Sequence, residues 1–204
     1  MHRWSYTITM SSDNHVLTAP IMPFDTANEW RAWLDKNHTM PGGVWLQMYK
    51  KYTKIPSIDY AAALDEALCY GWIDGQKKSY DEQSWLQKFT PRRPKSIWSK
   101  VNIGHIKRLT KEAKMRPAGL AAVKLAQQDG RWQQAYDSPK NMVMPKDFIA
   151  ELAKYPGAYS FFTTLNKTNT YAIAWRLQTA KRPETRAKRM KLLVEMMQRG
   201  EKLH

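Results

Sequence analysis

The feature of this sequence that most constrains its fold is a change in the spacing of apolar residues near residue 96. Before that point, residues 44–49 and 84–90 form short runs with aromatic and β-branched side chains between turn residues, a pattern typical of strands. After it, apolar residues follow the spacing of amphipathic helices. The sequence therefore predicts an α+β fold: a small antiparallel sheet with N-terminal helices, packed against a helical C-terminal half.

Capping residues, prolines and glycines set the expected helix boundaries. Ser57 is the expected N-cap of the second helix, and Ser96 or Ser99 that of the third. Pro117 stands where a first helical residue belongs, and Gly200 follows the last helix. The predicted helices span residues 24–37, 58–70, 97–115, 118–128, 145–154, 158–165, 170–179 and 183–199.

Residues 72–90 are predicted to form a β-hairpin. Its strands, 72–80 and 84–90, turn at Asp81-Glu82, whereas an alternative register turns at Asp74-Gly75, a strong two-residue turn signal. Either register leaves the order of elements unchanged.

One domain is expected over residues 24–200. It has a mixed α/β subregion, 24–95, and a mostly helical one, 96–200, and it follows a loose leader over residues 1–23.

Positive charge is concentrated in two segments. The chain has 33 Lys and Arg against 18 Asp and Glu, a formal net charge of +15. Residues 1–79 hold eight of each sign, whereas residues 88–131 hold twelve basic against two acidic residues and residues 176–202 nine against three. Such a field attracts polyanions, which predicts a phosphate-bearing or other anionic partner, with nucleic acid among the candidates. The competing interpretation is an ordinary set of solvated helix faces.

Several classes of protein are disfavoured. Cys69 is the only cysteine, so no intramolecular disulfide forms, and no Cys/His cluster suits zinc. Residues 1–20 lack the apolar run of a signal peptide, and no stretch approaches the ~20 apolar residues of a membrane span. Motifs for nucleotide cofactors, metals and catalytic nucleophiles are missing. We expect a cytoplasmic protein without cofactor or metal.

The segment 89–102 is the first candidate for anion binding. Two prolines stiffen a stretch with Arg92, Arg93 and Lys95 that runs into a helix start, where free N–H groups and guanidinium groups favour an anion. Alternatively, the segment is a stiff exposed connector whose serines are only caps. The candidate residues are Arg92, Arg93, Lys95, Ser96, Ser99, Lys100 and Asn102.

The last helix supplies further candidates, Arg186 and Arg189. Arg186 projects within about 40° of the helix's apolar stripe, so it needs a partner or a pocket edge. Asp74 is the candidate partner or site neighbour. This pairing leads to an alternative hypothesis, an enzyme acting on a small anionic substrate, in which Asp74 is the acid/base and Arg92, Arg93 and Arg186 orient the anion.

Aromatic residues are interleaved with the basic ones. Trp85, Trp98 and Trp132 lie in or beside the basic stretch, and aromatic plus cationic surface commonly holds single-stranded nucleic acid. Most tryptophans belong to cores, so at least two of these three are expected inside. An exposed aromatic patch without a basic cleft would instead favour a third hypothesis, a protein-interaction scaffold.

Four strings, in this order and spacing, resemble the YdeI/OmpD-associated family, also labelled bacteriocin-protection proteins. The resemblance covers residues 24–199. It implies a role in tolerance of bacteriocins or cationic antimicrobial peptides and an association with an outer-membrane porin, but no catalytic residues. Because a cationic protein repels cationic peptides, we expect any protection to be indirect. The strings are ALCYGWIDG at 67–75, FTPRRPKSIWS at 89–99, DGRW at 129–132 and AKRPETRAKR at 180–189.

The favoured hypothesis is a basic protein that binds anions or nucleic acid. It requires folding to bring the two basic segments onto one surface.

Overall fold

The computed structural model describes residues 19–204, so the predictions for residues 1–18 lie outside the described range. Helices and a four-stranded sheet confirm the α+β class. The chain divides into two compact units: the first holds residues 19–96 and 102–133, the second residues 97–101 and 134–204. That the chain forms one domain stays a prediction.

The first unit contains the sheet. Its elements are β1 (Ile21–Pro23), α1 (Ala27–Asn37), β2 (Val44–Tyr49), a 3-10 turn (Lys51–Thr53), α2 (Tyr60–Cys69), β3 (Trp72–Ser79), β4 (Ser84–Pro91), α3 (Lys100–Lys111, of which Lys100 and Val101 are grouped with the second unit) and α4 (Pro117–Gln128).

The strand order is β1-β2-β4-β3, in which β2, β4 and β3 are antiparallel as predicted. The hairpin turns at Asp81, whose carboxylate accepts the N–H groups of Gln83 and Ser84. The alternative turn at Asp74-Gly75 is wrong. These two residues lie inside β3, where the register shifts between Asp74 and Lys77, so the glycine accompanies a bulge instead of a turn.

The last residues of the predicted leader belong to the sheet. Ile21–Pro23 form β1, which runs parallel to β2, so the sheet is mixed instead of purely antiparallel. The Trp45 N–H donates to the Pro20 carbonyl, and the Met22 side chain is buried. A three-residue strand ending in proline carries no alternation, which is why local sequence did not indicate it.

The starts of the first two helices differ from the prediction. α1 begins after Thr26, whose hydroxyl accepts the Glu29 N–H, while Phe24 lies in the core. The N-cap of α2 is Asp59 instead of Ser57, because the Ser57 hydroxyl accepts the Tyr49 N–H and holds the chain against β2.

Helices α1 and α2 cover one face of the sheet over an aromatic core. The Trp30 and Trp33 rings stack with centroids 5.2 Å apart, and Trp72 meets both edge-on. The buried indole N–H groups of Trp30 and Trp72 donate to the carbonyl oxygens of Ala63 and His38. These contacts satisfy the polar atoms of a core otherwise held by apolar burial.

Helix α4 packs directly on α2. A Cβ atom at Gly119 would lie 2.2 Å from the Cys69 carbonyl oxygen, and the Arg116 N–H donates to that same oxygen. This close backbone approach explains why residues 102–133 are grouped with the first unit, although the sequence placed them in the helical subregion.

The second unit is helical. Its core contains Phe148, Leu152, Ile173, Leu177 and Leu193, each 1% exposed or less. Among residues 19–204, no helix is both long and apolar enough to cross a membrane. The helices are α5 (Lys146–Leu152), α6 (Pro156–Thr163), α7 (Lys167–Gln178) and α8 (Pro183–Gln198).

Candidate functional site

Only part of the predicted anion-binding segment, residues 89–102, is exposed to solvent. Arg93 and Lys95 are exposed, whereas the Nε and Nη2 atoms of Arg92 are shielded from solvent. Ser96 closes a tight turn: its hydroxyl accepts the Arg93 N–H, and its carbonyl accepts Arg131 Nη1. Asn102 is half-buried on α3.

The helix after this segment begins at Lys100 instead of Ile97. The buried Ser99 forms a β-bridge with Tyr136, which keeps the preceding residues extended. The Lys100 ammonium group forms an ion pair with Asp137 at 2.7 Å. That ion pair, with the Gln178 amide, holds the pKa of the Asp137 carboxyl below its usual range.

Arg186 is paired, as its position required, but its partner is not Asp74. Its two terminal nitrogens donate to the Asp147 carboxylate at 2.6 and 3.1 Å. The Arg186 guanidinium lowers the pKa of that carboxyl. Asp147 lies in the first turn of α5 and Arg186 in the first turns of α8, a proximity that depends on the fold of the second unit.

Arg189 binds the C-terminal end of α7. Its Nη1 atom donates to the Arg176 carbonyl at 2.6 Å and to the Thr179 hydroxyl at 3.2 Å. Both acceptors lie at the C-terminus of α7, where carbonyl groups lack helical partners. The geometry assigns Arg189 a role in stabilising α7.

Asp74 lies in the first unit and accepts a hydrogen bond of 2.7 Å from the Tyr60 hydroxyl. Arg92 and Arg93 belong to that unit, and Arg186 and Arg189 to the second. A surface shared by the two basic segments therefore stays a prediction.

A cleft that the sequence analysis missed lies in the first unit. Its volume is about 570 Å³, and Tyr49, Tyr60 and Trp85 contribute to its walls. Lys50 and Lys51 line it as well. We call this set of residues, together with Lys77, the lysine–aromatic cleft.

Lys77 extends the cleft from the edge strand. Its Nζ atom lies 4.3 Å from the centroid of the Trp85 ring, and the centroid of the Tyr60 ring lies 6.5 Å from that of Trp85. Of the three interleaved tryptophans only Trp98 is fully buried, so the expectation of two inside is wrong. Trp85 is half-buried because it borders the cleft.

Two further lysines, Lys78 and Lys88, lie on the face of the sheet opposite Lys77. Side chains alternate along β3, so Lys78 points away from Lys77 and places its Nζ atom 5.2 Å from the Trp45 ring. Lys88, directly opposite Trp45 in the sheet, lies at the same distance. Burial lowers the pKa of the Lys88 ammonium group, and the charge of Lys78 lowers it further.

Several acidic residues of the first unit cap or pair with other groups, although Asp59 also lines the cleft and Asp74 accepts the hydrogen bond from Tyr60. Asp59 caps α2, Asp81 caps the hairpin turn, and Glu66 forms an ion pair with Arg31. Asp35 accepts a hydrogen bond from the Tyr70 hydroxyl. Within residues 19–204, no carboxylate forms an ion pair with Lys50, Lys51, Lys54, Lys77, Lys78 or Lys88.

The charge count did not reveal the lysines at positions 50, 51, 54, 77 and 78, because residues 1–79 have a net charge of zero. The hairpin register offered a signal. Lys77 pairs with Gln87, two residues from Trp85 on the same face, a diagonal position within reach of a long side chain. Cationic groups beside exposed rings can hold anionic groups attached to planar rings.

The described residues contain no group of three or more His, Cys, Asp or Glu placed to hold a metal ion.

Comparison with known families divides the chain much as the fold does. Residues 22–122 match a domain of unknown function, DUF8412. Residues 141–200 match the family described as "Bacteriocin-protection, YdeI or OmpD-Associated". No curated protein and no solved structure shows significant similarity to the chain.

The family match covers a shorter stretch than the resemblance inferred from the sequence. Of the four strings, only the one at 180–189 lies inside it, and the strings at 67–75 and 89–99 lie inside the other match. The match over residues 141–200 supports the resemblance to the bacteriocin-protection, YdeI or OmpD-associated family, over less than half of the chain.

Proposed function

We propose that this protein binds single-stranded nucleic acid at the lysine–aromatic cleft. Phosphate groups contact Lys50, Lys51 and Lys77. Bases stack on the rings of Trp85 and Tyr60. The observation that carries the proposal is the Lys77 ammonium group 4.3 Å from the Trp85 ring, at a cleft lined by further lysines. Cationic grooves with aromatic platforms are the usual means of holding single strands.

The lysines of this region favour an anion energetically. A cation–π contact at an exposed site contributes only about 0.5–1 kcal/mol, so an incoming phosphate displaces little. Since no described carboxylate pairs with Lys77, binding breaks no ion pair. At Trp45, on the opposite face of the sheet, burial and then the charge of Lys78 lower the pKa of Lys88, and a phosphate there would relieve the repulsion between the two lysines.

Exposed rings support the same function. The side chains of Tyr52 and Tyr60 are 68% and 39% exposed, and they lie among lysines. Lys50 and Lys51 line the same cleft as Tyr60, and this combination of cations and rings favours a polyanion over the scaffold hypothesis. Arg93 and Lys95 follow the far end of β4, about 20 Å along the strand from Trp85, and extend the positive surface of the first unit.

The family description adds a physiological context, bacteriocin protection. A protein of net charge +15 repels cationic peptides, so protection would act through nucleic acid and not through capture of the peptide. The enzyme hypothesis has less support, because Asp74, Arg92 and Arg93 are not among the residues that line the lysine–aromatic cleft.

The proposal is tested by titrating a labelled oligothymidine with the full-length protein and following fluorescence anisotropy over a range of salt concentrations. We expect the logarithm of the affinity to fall with the logarithm of salt concentration, with a slope of about −0.7 per phosphate contacted. No binding at low salt would refute the proposal.

The contribution of the ring is tested with Trp85→Leu. Stacking is worth about 1–3 kcal/mol per base, so we expect at least about five-fold weaker oligothymidine binding. Heparin is a polyanion without bases, and its affinity should change little. Trp132→Leu, which removes another half-buried tryptophan of the same unit, is the matched control. Equal losses in the two variants, or for the two polyanions, would contradict a stacking role.

A further inference from the structure

The second unit contains a separate cleft of about 690 Å³. Its apolar lining includes Met142, Met144, Phe162 and Tyr171. Burial raises the pKa of the Tyr171 hydroxyl, as expected for a group beside apolar walls. The volume lies within the range of ~300–1,000 Å³ that is typical of small-molecule sites.

Two exposed lysines, Lys140 and Lys167, also line this cleft. Neither forms an ion pair with any carboxylate of residues 19–204. Two acidic residues of this unit are engaged elsewhere, Asp137 by Lys100 and Asp147 by Arg186. The cleft therefore combines apolar walls with two unneutralised positive charges.

The position of Lys167 strengthens the positive potential. Lys167 is the first residue of α7, a helix of 12 residues, so the positive end of the helix dipole adds to its own charge. Lysine is a compact point charge on a flexible stem, unlike the planar fork of arginine that matches phosphate in two places. A single carboxylate suits such a pair of groups.

We infer that this cleft binds a medium-chain carboxylate, an anion with one unbranched apolar tail. The carboxylate contacts Lys140 and Lys167, and the tail lies against Met142, Met144 and Phe162. Methionine side chains adapt to irregular apolar shapes, which suits a flexible chain. A neutral ligand would leave the lysines unmatched, and inorganic phosphate would leave the apolar walls unfilled.

The test is a calorimetric titration of the full-length protein with decanoate, octanoate, hexanoate and butyrate, all below micelle-forming concentrations. We expect each pair of methylene groups removed to weaken binding about fifteen-fold, because each buried methylene contributes about 0.8 kcal/mol. Decan-1-ol should bind more weakly than decanoate. Affinity independent of chain length, equal binding of the alcohol, or no binding of decanoate would overturn the inference.

Variants locate the site. Met142→Glu places a carboxylate among the tail contacts and should abolish decanoate binding, and a Lys140→Gln/Lys167→Gln double variant should weaken it several-fold. Lys181→Gln/Lys202→Gln removes the same charge from exposed positions of the same unit outside the lining. Thermal unfolding of each variant establishes that it is folded. Equal weakening by both lysine pairs, or retained binding in folded Met142→Glu, would contradict this location.

The inference is independent of the nucleic-acid proposal. Lys77→Gln in the first unit should leave the decanoate affinity unchanged. If Lys77→Gln weakened decanoate binding and oligothymidine binding alike, the two sites would not be separate.

Discussion

The sheet of the first unit and the last helix of the second use their charged residues in different ways. In the first unit, carboxylates cap helices and turns or pair with arginine, and lysines remain beside aromatic rings. In the second, the two arginines of the last helix are engaged: Arg186 binds Asp147, and Arg189 binds the C-terminus of α7. A surplus of positive charge in sequence therefore does not indicate which cations can bind a ligand.

The chemistry of the side chains explains part of this difference. The planar guanidinium group of arginine binds carboxylates and carbonyl groups in fixed geometry, so a fold readily uses it for internal contacts. The ammonium group of lysine lies on a flexible stem and keeps its hydration at little cost. In this protein the arginines of α8 support structure, and the lysines of β3 remain accessible.

The largest expected effect is a loss of stability that is confined to the first unit. Gly119→Ala places a Cβ atom 2.2 Å from the Cys69 carbonyl oxygen, so α4 must move away from α2. We expect a loss of about 3 kcal/mol in the free energy of unfolding, measured by urea denaturation. Gly104→Ala is the control: nothing lies within 4 Å of the added atom, and the helix should gain up to about 1 kcal/mol.

The reactivity of the Cys69 thiol measures the same displacement of α4 from α2 without denaturant. Burial raises the pKa of its thiol to about 11, and the side chain is 2% exposed. The wild-type thiol should therefore react slowly with a disulfide reagent at neutral pH, and the Gly119→Ala thiol much faster. Equal rates would mean that α4 does not cover α2 as described.

A smaller effect separates structural from binding roles in the second unit. Arg189→Met removes the contacts to the Arg176 carbonyl and the Thr179 hydroxyl, which should cost about 1–2 kcal/mol of stability. Oligothymidine affinity should hardly change. Lys188→Met, an exposed neighbour on the same helix, should shift stability by less than about 0.5 kcal/mol. Weaker binding with unchanged stability would restore Arg189 as an anion contact.

The smallest effect is a pH dependence in the second unit. The pKa of Asp137 is lowered in the folded state by Lys100 and Gln178, so the carboxylate stabilises the fold above its unfolded pKa of about 3.9. That contribution is lost as pH falls through the lower, folded pKa. The stability difference between wild type and Asp137→Asn should be full at pH 7 and shrink below about pH 4. A difference that does not change with pH would contradict this ion pair.

Local signals predicted much of the fold. Strand β2 was placed at residues 44–49 because its pattern is bounded by clear turn residues. Pro117 opens α4, and Gly200 follows α8 with φ of 67°, since both residues carry strong local preferences. Strand β1 could not be predicted, because three residues pair with β2 only through the tertiary structure.

The candidate site was harder to predict. The requirement that Arg186 be paired followed from helix geometry, but its partner Asp147 depends on how α5 and α8 pack. Lys77 and Lys78 were overlooked because nearby acidic residues cancel their charge in a sum along the chain. Only the fold assigns those acids to caps and ion pairs.

The central claim is that the lysines of the lysine–aromatic cleft, and not those of the last helix, hold the nucleic acid. The most direct measurement compares oligothymidine binding by Lys51→Gln/Lys77→Gln with binding by Lys181→Gln/Lys188→Gln, which removes the same charge near and on α8. We expect the cleft variant to bind several-fold more weakly, with a salt slope reduced by about 1.4, and the other to bind almost as wild type. Equal weakening in both variants, or a loss confined to Lys181→Gln/Lys188→Gln, would contradict the claim.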